Sequence, residues 1–176
     1  MSGKAYTKVL DFWFGPKGSP GYLEAKHFWY GSKRSDDEYV EKHLGNDYEV
    51  AKTGQLDNWK ELGEGEGALA LIILLDQVPR NIFRNTPKAY ATDSHALEIA
   101  RYAVLEKGWD KKFPDIQRRY LYSPFNHSEN LKDQEESLRL FTELGDDFHL
   151  HWARDFYDQI KKNGRFIHRD PILGRK

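Results

Sequence analysis

The sequence predicts an all-α fold in a single domain, and three observations carry that expectation. Helical start and stop signals recur along the chain. Alternating polar and apolar stretches of strand type are missing. The longest apolar run, "ALALIILL" at 68–75, has no second strand-like run to pair with. A chain of 176 residues with 39% hydrophobic content fits one domain, 1–176, with a sizeable core. Aromatic residues reach 14%, which argues for helices packed through large rings.

The elements follow in order. "TKVLDFWF" (7–14) is a short aromatic helix stopped by Gly15-Pro16. "PGYLEAKHFWYG" (20–31) sets Leu23, His27 and Phe28 at helical spacing and predicts a second helix. Ser35 is the expected N-cap of the next, with Asp36, Asp37 and Glu38 in the first turn where the helix dipole favours anions, and Thr53-Gly54 at its end. "QLDNWKEL" gives a short turn of helix before "GEGEG" (63–67). The run 68–75 lacks a polar face, so it is expected to be the central, surrounded helix. Pro79 then forces a kink or a restart, because it has no N–H and its ring meets the carbonyl of Leu75.

Thr86-Pro87 starts a helix expected to reach Gly108. The segment 113–124 is a helix broken before Pro124. Residues 128–145 form an amphipathic helix capped by Ser128 or Asn126, with Glu129 near its positive end. Leu131, Leu138, Phe141 and Leu144 should point inward, and Asp133, Glu135 and Glu136 should form a solvated face. Asp146 caps a last helix that ends at Asn163-Gly164, and of His149 and His151 one is expected in the core and one on the surface. Residues 164–176 read as an extended basic tail docking on the body. The count is about seven or eight helices in antiparallel pairs, a helical array without a clear tetratricopeptide repeat of roughly 34 residues.

Composition excludes several functions. With 27 basic against 28 acidic residues, a net charge of −1, the chain lacks the basic surplus of a nucleic-acid binder, and no nucleic-acid partner is expected. Cysteine is absent, which removes disulfides, thiolate zinc sites and thiol nucleophiles and suits a reducing compartment. The eight-residue apolar run is far short of the roughly 20 residues a bilayer needs, and "MSGKAYTKVLDFWFG" has no signal-peptide run; no membrane partner and a cytoplasmic location are expected. No P-loop, dinucleotide GxGxxG or GxSxG elbow occurs, so no cofactor is expected. Metal binding is not expected either, since His127 and Glu129 supply two ligands without a spaced partner.

Three polar clusters could carry chemistry. In "LLDQVPRNIFRNTP" (74–87), a helix restart would free the N–H groups of Arg80 and Asn81, and Arg80 and Arg84 lie four apart on one face. Guanidiniums beside a helix N-terminus suit a carboxylate or a phosphate. The plainer alternative is that Asp76 pairs with Arg80 or Arg84 and braces the kink. In "YSPFNHSE" (122–129), capping explains Ser128 and Glu129 but not His127, an imidazole placed to act as a general base oriented by an acid. In the tail, Arg165, His168, Arg169, Asp170 and Arg175 alternate with Phe166, Ile167, Ile172 and Leu173, which would dock it.

"DFWFG", "LALIILLDQVPRNIFRNTPKAYATD", "LYSPFNHSE" and "GRFIHRDPILGR" occur in this order. Together they resemble domain-of-unknown-function family 924, and the resemblance covers nearly the whole chain. It implies an all-α, tetratricopeptide-like (TPR-like) domain and no established activity. Its motif positions match Asp76, Gln77, Pro79, Arg80, Asn81, Phe83, Arg84 and Asp93, then Pro124, His127, Ser128 and Glu129, and then Gly164 to Phe166, His168, Arg169, Gly174 and Arg175. Asn163, Ile167 and Asp170 depart from the family's Phe-Gly-Arg-Phe-Pro-His-Arg-Asn, and a histidine that the family tends to carry is replaced near Phe156. The family pattern also continues past the Leu-Gly-Arg at which this chain nearly ends.

Three readings follow. The leading one is a polar pocket that binds a small anionic ligand, a carboxylate or phosphate metabolite or a peptide, through Gln77, Arg80, Asn81, Arg84, His168 and Arg169. The second is a hydrolase or lyase with His127 as general base, oriented by Glu129 or Asp76. The third is a scaffold or interaction module whose polar clusters only fix helix junctions. Whether the chain is an enzyme is left open by its residues.

Overall fold

The computed structural model of the chain describes residues 5–31 and 33–175. The ends of the expected domain, residues 1–4 and 176, lie outside them, and so do the first residues of the N-terminal segment read above. All regular structure among the described residues is helical. In chain order the helices are α1 (Ala5–Phe14), α2 (Arg34–Ala51), α3 (Glu66–Ile72), α4 (Val78–Ile82), α5 (Asp93–Ala100), α6 (Asp115–His127), α7 (Leu131–Leu144), α8 (Asp147–Asn163) and α9 (Asp170–Leu173). No helix among the described residues is long and apolar enough to cross a membrane.

The run without a polar face is the centre of the core. Every side chain from Ala68 to Leu75 is fully buried. α1, α5 and α6 pack on α3, and α2 packs on α4, so the apolar run is covered on all sides. Burying a Leu or Ile side chain stabilises by roughly 1.5–3 kcal/mol, which makes this run the main anchor of everything attached to it. Gly67 permits the close approach that seats α3, since a Cβ there would lie 1.9 Å from the carbonyl oxygen of Trp59. α6, α7 and α8 then pack as successive neighbours.

Pro79 neither stops nor restarts the helix. Residues Ile73–Gln77 form a widened π-helical turn, and the Val78 N–H bonds back to the carbonyl of Ile73. The wide turn makes room for the proline ring, and α4 continues directly from it. The carbonyls freed at this junction are used. Leu75 O accepts the Thr92 hydroxyl at 2.6 Å, and Asp76 O accepts Arg80 Nη1 at 2.8 Å. There is no free helix N-terminus at Arg80 and Asn81.

Other expectations need correction. Residues 20–31 are a series of turns, because Gly21 and Leu23 both take positive φ, of 82° and 66°. Phe28 and Trp29 are nonetheless buried, and the Trp29 indole donates to Trp13 O at 2.9 Å. α2 starts before Ser35, with Lys33 as a cap that makes no side-chain bond. The helix expected from Thr86-Pro87 is a short 3-10 turn, Pro87–Ala89, followed by α5 and a second π-helical stretch, Arg101–Glu106.

α6 runs through Pro124 to His127, past its expected end. The cap of α7 is Asn130, whose side chain accepts the Lys132 N–H at 2.9 Å, in place of Ser128 or Asn126. Leu131 is exposed instead of inward, and Asp133 is buried, paired with Arg101 and Ser128 instead of solvated. Asp146 and Gly164 bound α8 as expected. His151 is exposed, while His149 is half-buried against Phe141. The tail is a 3-10 turn and a short helix, not an extended segment, and its Phe166 is buried while Ile167 stays exposed.

The Thr92–Leu75 bond gives a direct test of how Pro79 is accommodated. Thr92→Val keeps the shape and removes the donor, leaving a buried carbonyl unpaired. Urea unfolding should show a loss of about 1–3 kcal/mol. No loss would mean that the freed carbonyl finds another partner.

Candidate functional site

The three polar clusters of the sequence converge on one cleft with two lobes. The first, of about 290 Å³, is lined by Arg80, Arg84, Tyr90, Asn126, His127, Phe156, Phe166, His168 and Arg169, with Asn85 and Ala89. The second, of about 370 Å³, shares Tyr90, His127 and Arg169 and adds Asp93, Ser128 and Glu129 among others. Carboxylates line only the second lobe, so the first is the more positive.

His127 closes the C-terminal end of α6, carried there by the continuation through Pro124. Its Nδ1 lies 2.8 Å from Oδ1 of Asp76, which has no solvent exposure at all. An ionised carboxylate only accepts, so Nδ1 carries the proton in this contact and Nε2 is the nitrogen left for the cleft. Asp76 Oδ2 accepts the Gln77 amide at 2.8 Å, and Arg80 Nη1 stands 3.6 Å from Oδ1. Burial opposes the Asp76 charge, but the fields of His127 and Arg80, with the hydrogen bonds from His127 and Gln77, hold its carboxyl below the usual range.

The two arginines of the 74–87 cluster are both ion-paired, and not principally with Asp76. Arg80 forks onto Asp93, with Nη1–Oδ1 2.7 Å and Nη2–Oδ2 2.9 Å. Arg84 forks onto Asp37 of α2 at 2.9 Å for both contacts. It passes so close over Gly31 that a Cβ there would sit 1.7 Å from Nη2. Asn81 donates to Phe28 O and to Asp37, tying the turns of 20–31 and α2 to α4. Gln77 and Asn81 support the walls and do not line either lobe.

Arg169 differs from both. It is 6% exposed, and its guanidinium carbon lies 4.4 Å from the ring centre of Tyr90 and 4.7 Å from that of Phe166. Its Nη2 donates to His127 O at 3.1 Å, its nearest carboxylate, Asp93, is 4.0 Å away, and its buried Nε has no hydrogen-bond partner among the described residues. Burial, reinforced by the nearby Arg80 charge, pushes the guanidinium down, the reverse of Arg80 itself, whose partners raise it. His168 is pushed down by burial and by Arg169.

Glu129 latches the tail over the cleft. It accepts the Phe166 N–H at 2.7 Å and a fork from Arg175 at 2.8 and 3.1 Å. Asp170 is gripped by Arg165 and Arg175. Glu129 therefore stands apart from the Asp76–His127 pair, and Asp76 is the acid that orients the imidazole. Sequence reasoning missed Tyr90 as a cleft residue, since nothing in a chain this rich in rings marks it, and met Phe156 only as the place of a replaced family histidine. It gave Asn126 only a capping role. In the fold Asn126 Oδ1 accepts the Ser137 hydroxyl at 3.2 Å, which leaves its amide N–H₂ for the cleft. No group of three or more His, Cys, Asp or Glu among the described residues is placed to hold a metal ion.

The latch has a pH signature. Burial raises the Glu129 carboxyl, but Arg175, the Phe166 N–H and Arg169 together lower it; hydrogen bonds from Arg165 and then Arg175 lower Asp170. A carboxyl lowered in the folded state adds stability above its unfolded pKa, and that stability is lost as pH falls through its folded value. Unfolding free energy should thus decline between about pH 5 and pH 3, with a shallower decline in Glu129→Gln. Equal slopes in urea titrations of the two proteins would remove Glu129 from the latch.

No curated protein matches the chain. A solved structure of a protein of unknown function from Agrobacterium tumefaciens is similar to it, at 32% identity and a TM-score of 0.86, covering 100% of this chain and 93% of that one. The family described as bacterial protein of unknown function matches residues 9–176. The chain belongs to that family, domain-of-unknown-function family 924.

Proposed function

We propose that the protein binds a small anionic molecule, through a carboxylate or phosphate group, in the first lobe of the cleft. The observation that carries this reading is Arg169, a buried guanidinium packed against two rings, with no carboxylate nearer than Asp93 at 4.0 Å and an Nε unpartnered among the described residues. A buried cation left short of partners is costly, and an anion entering the cleft relieves that cost. His168 and the edges of Arg80 and Arg84 add donors and positive field on the same lobe. The near-neutral chain without cysteine fits a cytoplasmic metabolite binder with no role for nucleic acid or membranes.

A second reading is favoured by the Asp76–His127 contact. A buried carboxylate that fixes the imidazole leaves Nε2 as a base facing the ligand, which suits a hydrolase or a lyase acting on that anion. No described hydroxyl or amine of the protein is hydrogen-bonded to His127, so the base would act on water or on the ligand itself. The scaffold reading leaves the convergence of three separate segments on one positive cleft without a purpose.

A thermal-shift panel of phosphates and carboxylates tests the binding reading. A ligand at a hundred times its Kd adds about 2.7 kcal/mol of stability. Arg169→Gln should stay folded and lose most of the shift; an undiminished shift sinks the reading. For the catalytic reading, His127→Asn keeps a donor toward Asp76 and removes Nε2. Turnover of a processed ligand should then drop by roughly a hundredfold or more while binding persists.

A further inference from the structure

The cleft is joined to an apolar path that reaches the surface. Tyr90 packs on Arg169, Arg169 on Phe166, Phe166 meets Phe156 edge-on with ring centres 5.5 Å apart, and Phe156 is 6.3 Å from Trp152. Tyr90, Phe166 and Phe156 line the first lobe, so the path begins inside the cleft. It continues outward along one face of α8 at four-residue steps, Phe156, Trp152 and Phe148. Trp152 is 44% exposed and Phe148 67% exposed, an unusual display for large rings on a helix whose other face is packed on α7.

One end of this path is a buried guanidinium and the other is bare aromatic surface. A purely polar metabolite would use the first and leave the second uncovered. We infer that the ligand is amphipathic, a carboxylate or phosphate head seated at Arg169 and an apolar chain or ring system lying along Phe166, Phe156 and Trp152. This rests on the anion-binding reading above and names its ligand class. The occupant of the aromatic face is thus the apolar part of the cleft's own ligand. Continuity of the wall with the cleft and the charge of the first lobe both point to it. A second copy of the chain would cover the rings without engaging Arg169.

Calorimetric titration with straight-chain monocarboxylates from acetate to octanoate, and with the matching alkyl phosphates, tests the inference. Affinity should tighten by roughly threefold for each methylene that becomes buried along the wall. Trp152→Ala should flatten the gain for the longest chains, and Phe156→Ala should flatten it from shorter lengths. Circular dichroism melts establish that both variants fold. The carboxylate and phosphate series separate the two head groups.

If acetate and octanoate bind the wild type equally and Arg169→Gln loses both, the anion reading stands and the amphipathic ligand is overturned. If no member of either series binds, both fall together. A full chain-length gain retained in the two aromatic variants overturns the wall. So does sedimentation showing a dimer that Trp152→Ala converts to a monomer, because the rings would then belong to a contact between copies.

Discussion

The structure depends on carrying one buried charge. Asp76 ends the most deeply buried run of the chain and has no contact with solvent. A lone carboxylate in such a place would lose its proton only at a cost of several kcal/mol. Here His127 donates to one oxygen, Gln77 to the other, and Arg80 adds a positive charge 3.6 Å away. Each comes from a feature that is otherwise hard to explain. Gln77 ends the π-helical turn and Arg80 follows Pro79 in α4, and His127 lies on the stretch of α6 that continues past Pro124. Two prolines inside helices thus coincide with the two halves of one hydrogen-bonded pair.

Around that pair, the basic groups are ordered by what they have left to offer. Arg84 and Arg80 are committed to Asp37 and Asp93. They bind the 20–31 turns, α2, α4 and α5 into a rigid wall. Arg169 reaches the same place from the far end of the chain, held by the ring stack and by the Glu129–Arg175 latch. Its carboxylate contact, 4.0 Å to Asp93, is the loosest of the three. The cleft is therefore a place where structural pairing is loosest, and this is why the proposed chemistry rests on Arg169 and His127. The motif arginines build the wall.

Much of this was legible in the sequence. The apolar run 68–75 marked the core helix because no polar face interrupts it. Asp146 and Asn163-Gly164 marked α8 because capping is local chemistry. The polar clusters were visible as clusters because they break helical periodicity. What the sequence hid was set by tertiary contact. Spacing made 20–31 read as a helix, yet positive φ at Gly21 and Leu23 turns the chain so that Phe28 and Trp29 can be buried. Pro79 read as a break because a widened turn has no sequence signature of its own. Arg80 could be paired with Asp76 by proximity in sequence, whereas its true fork partner, Asp93, lies thirteen residues on. Tyr90 was lost among many rings, and Phe156 was marked only as a departure from the family pattern. Asp133 looked like surface charge because only the fold brings Arg101 to it.

The central claim is that Asp76 fixes His127 with Nδ1 protonated and Nε2 open to the cleft. Long-range proton–nitrogen NMR of the histidine side chains reads this tautomer directly. In the neutral form of His127, Nδ1 should be protonated and Nε2 bare, with the pattern lost in Asp76→Asn. A neutral His127 carrying its proton on Nε2, with Nδ1 bare toward Asp76, would contradict it.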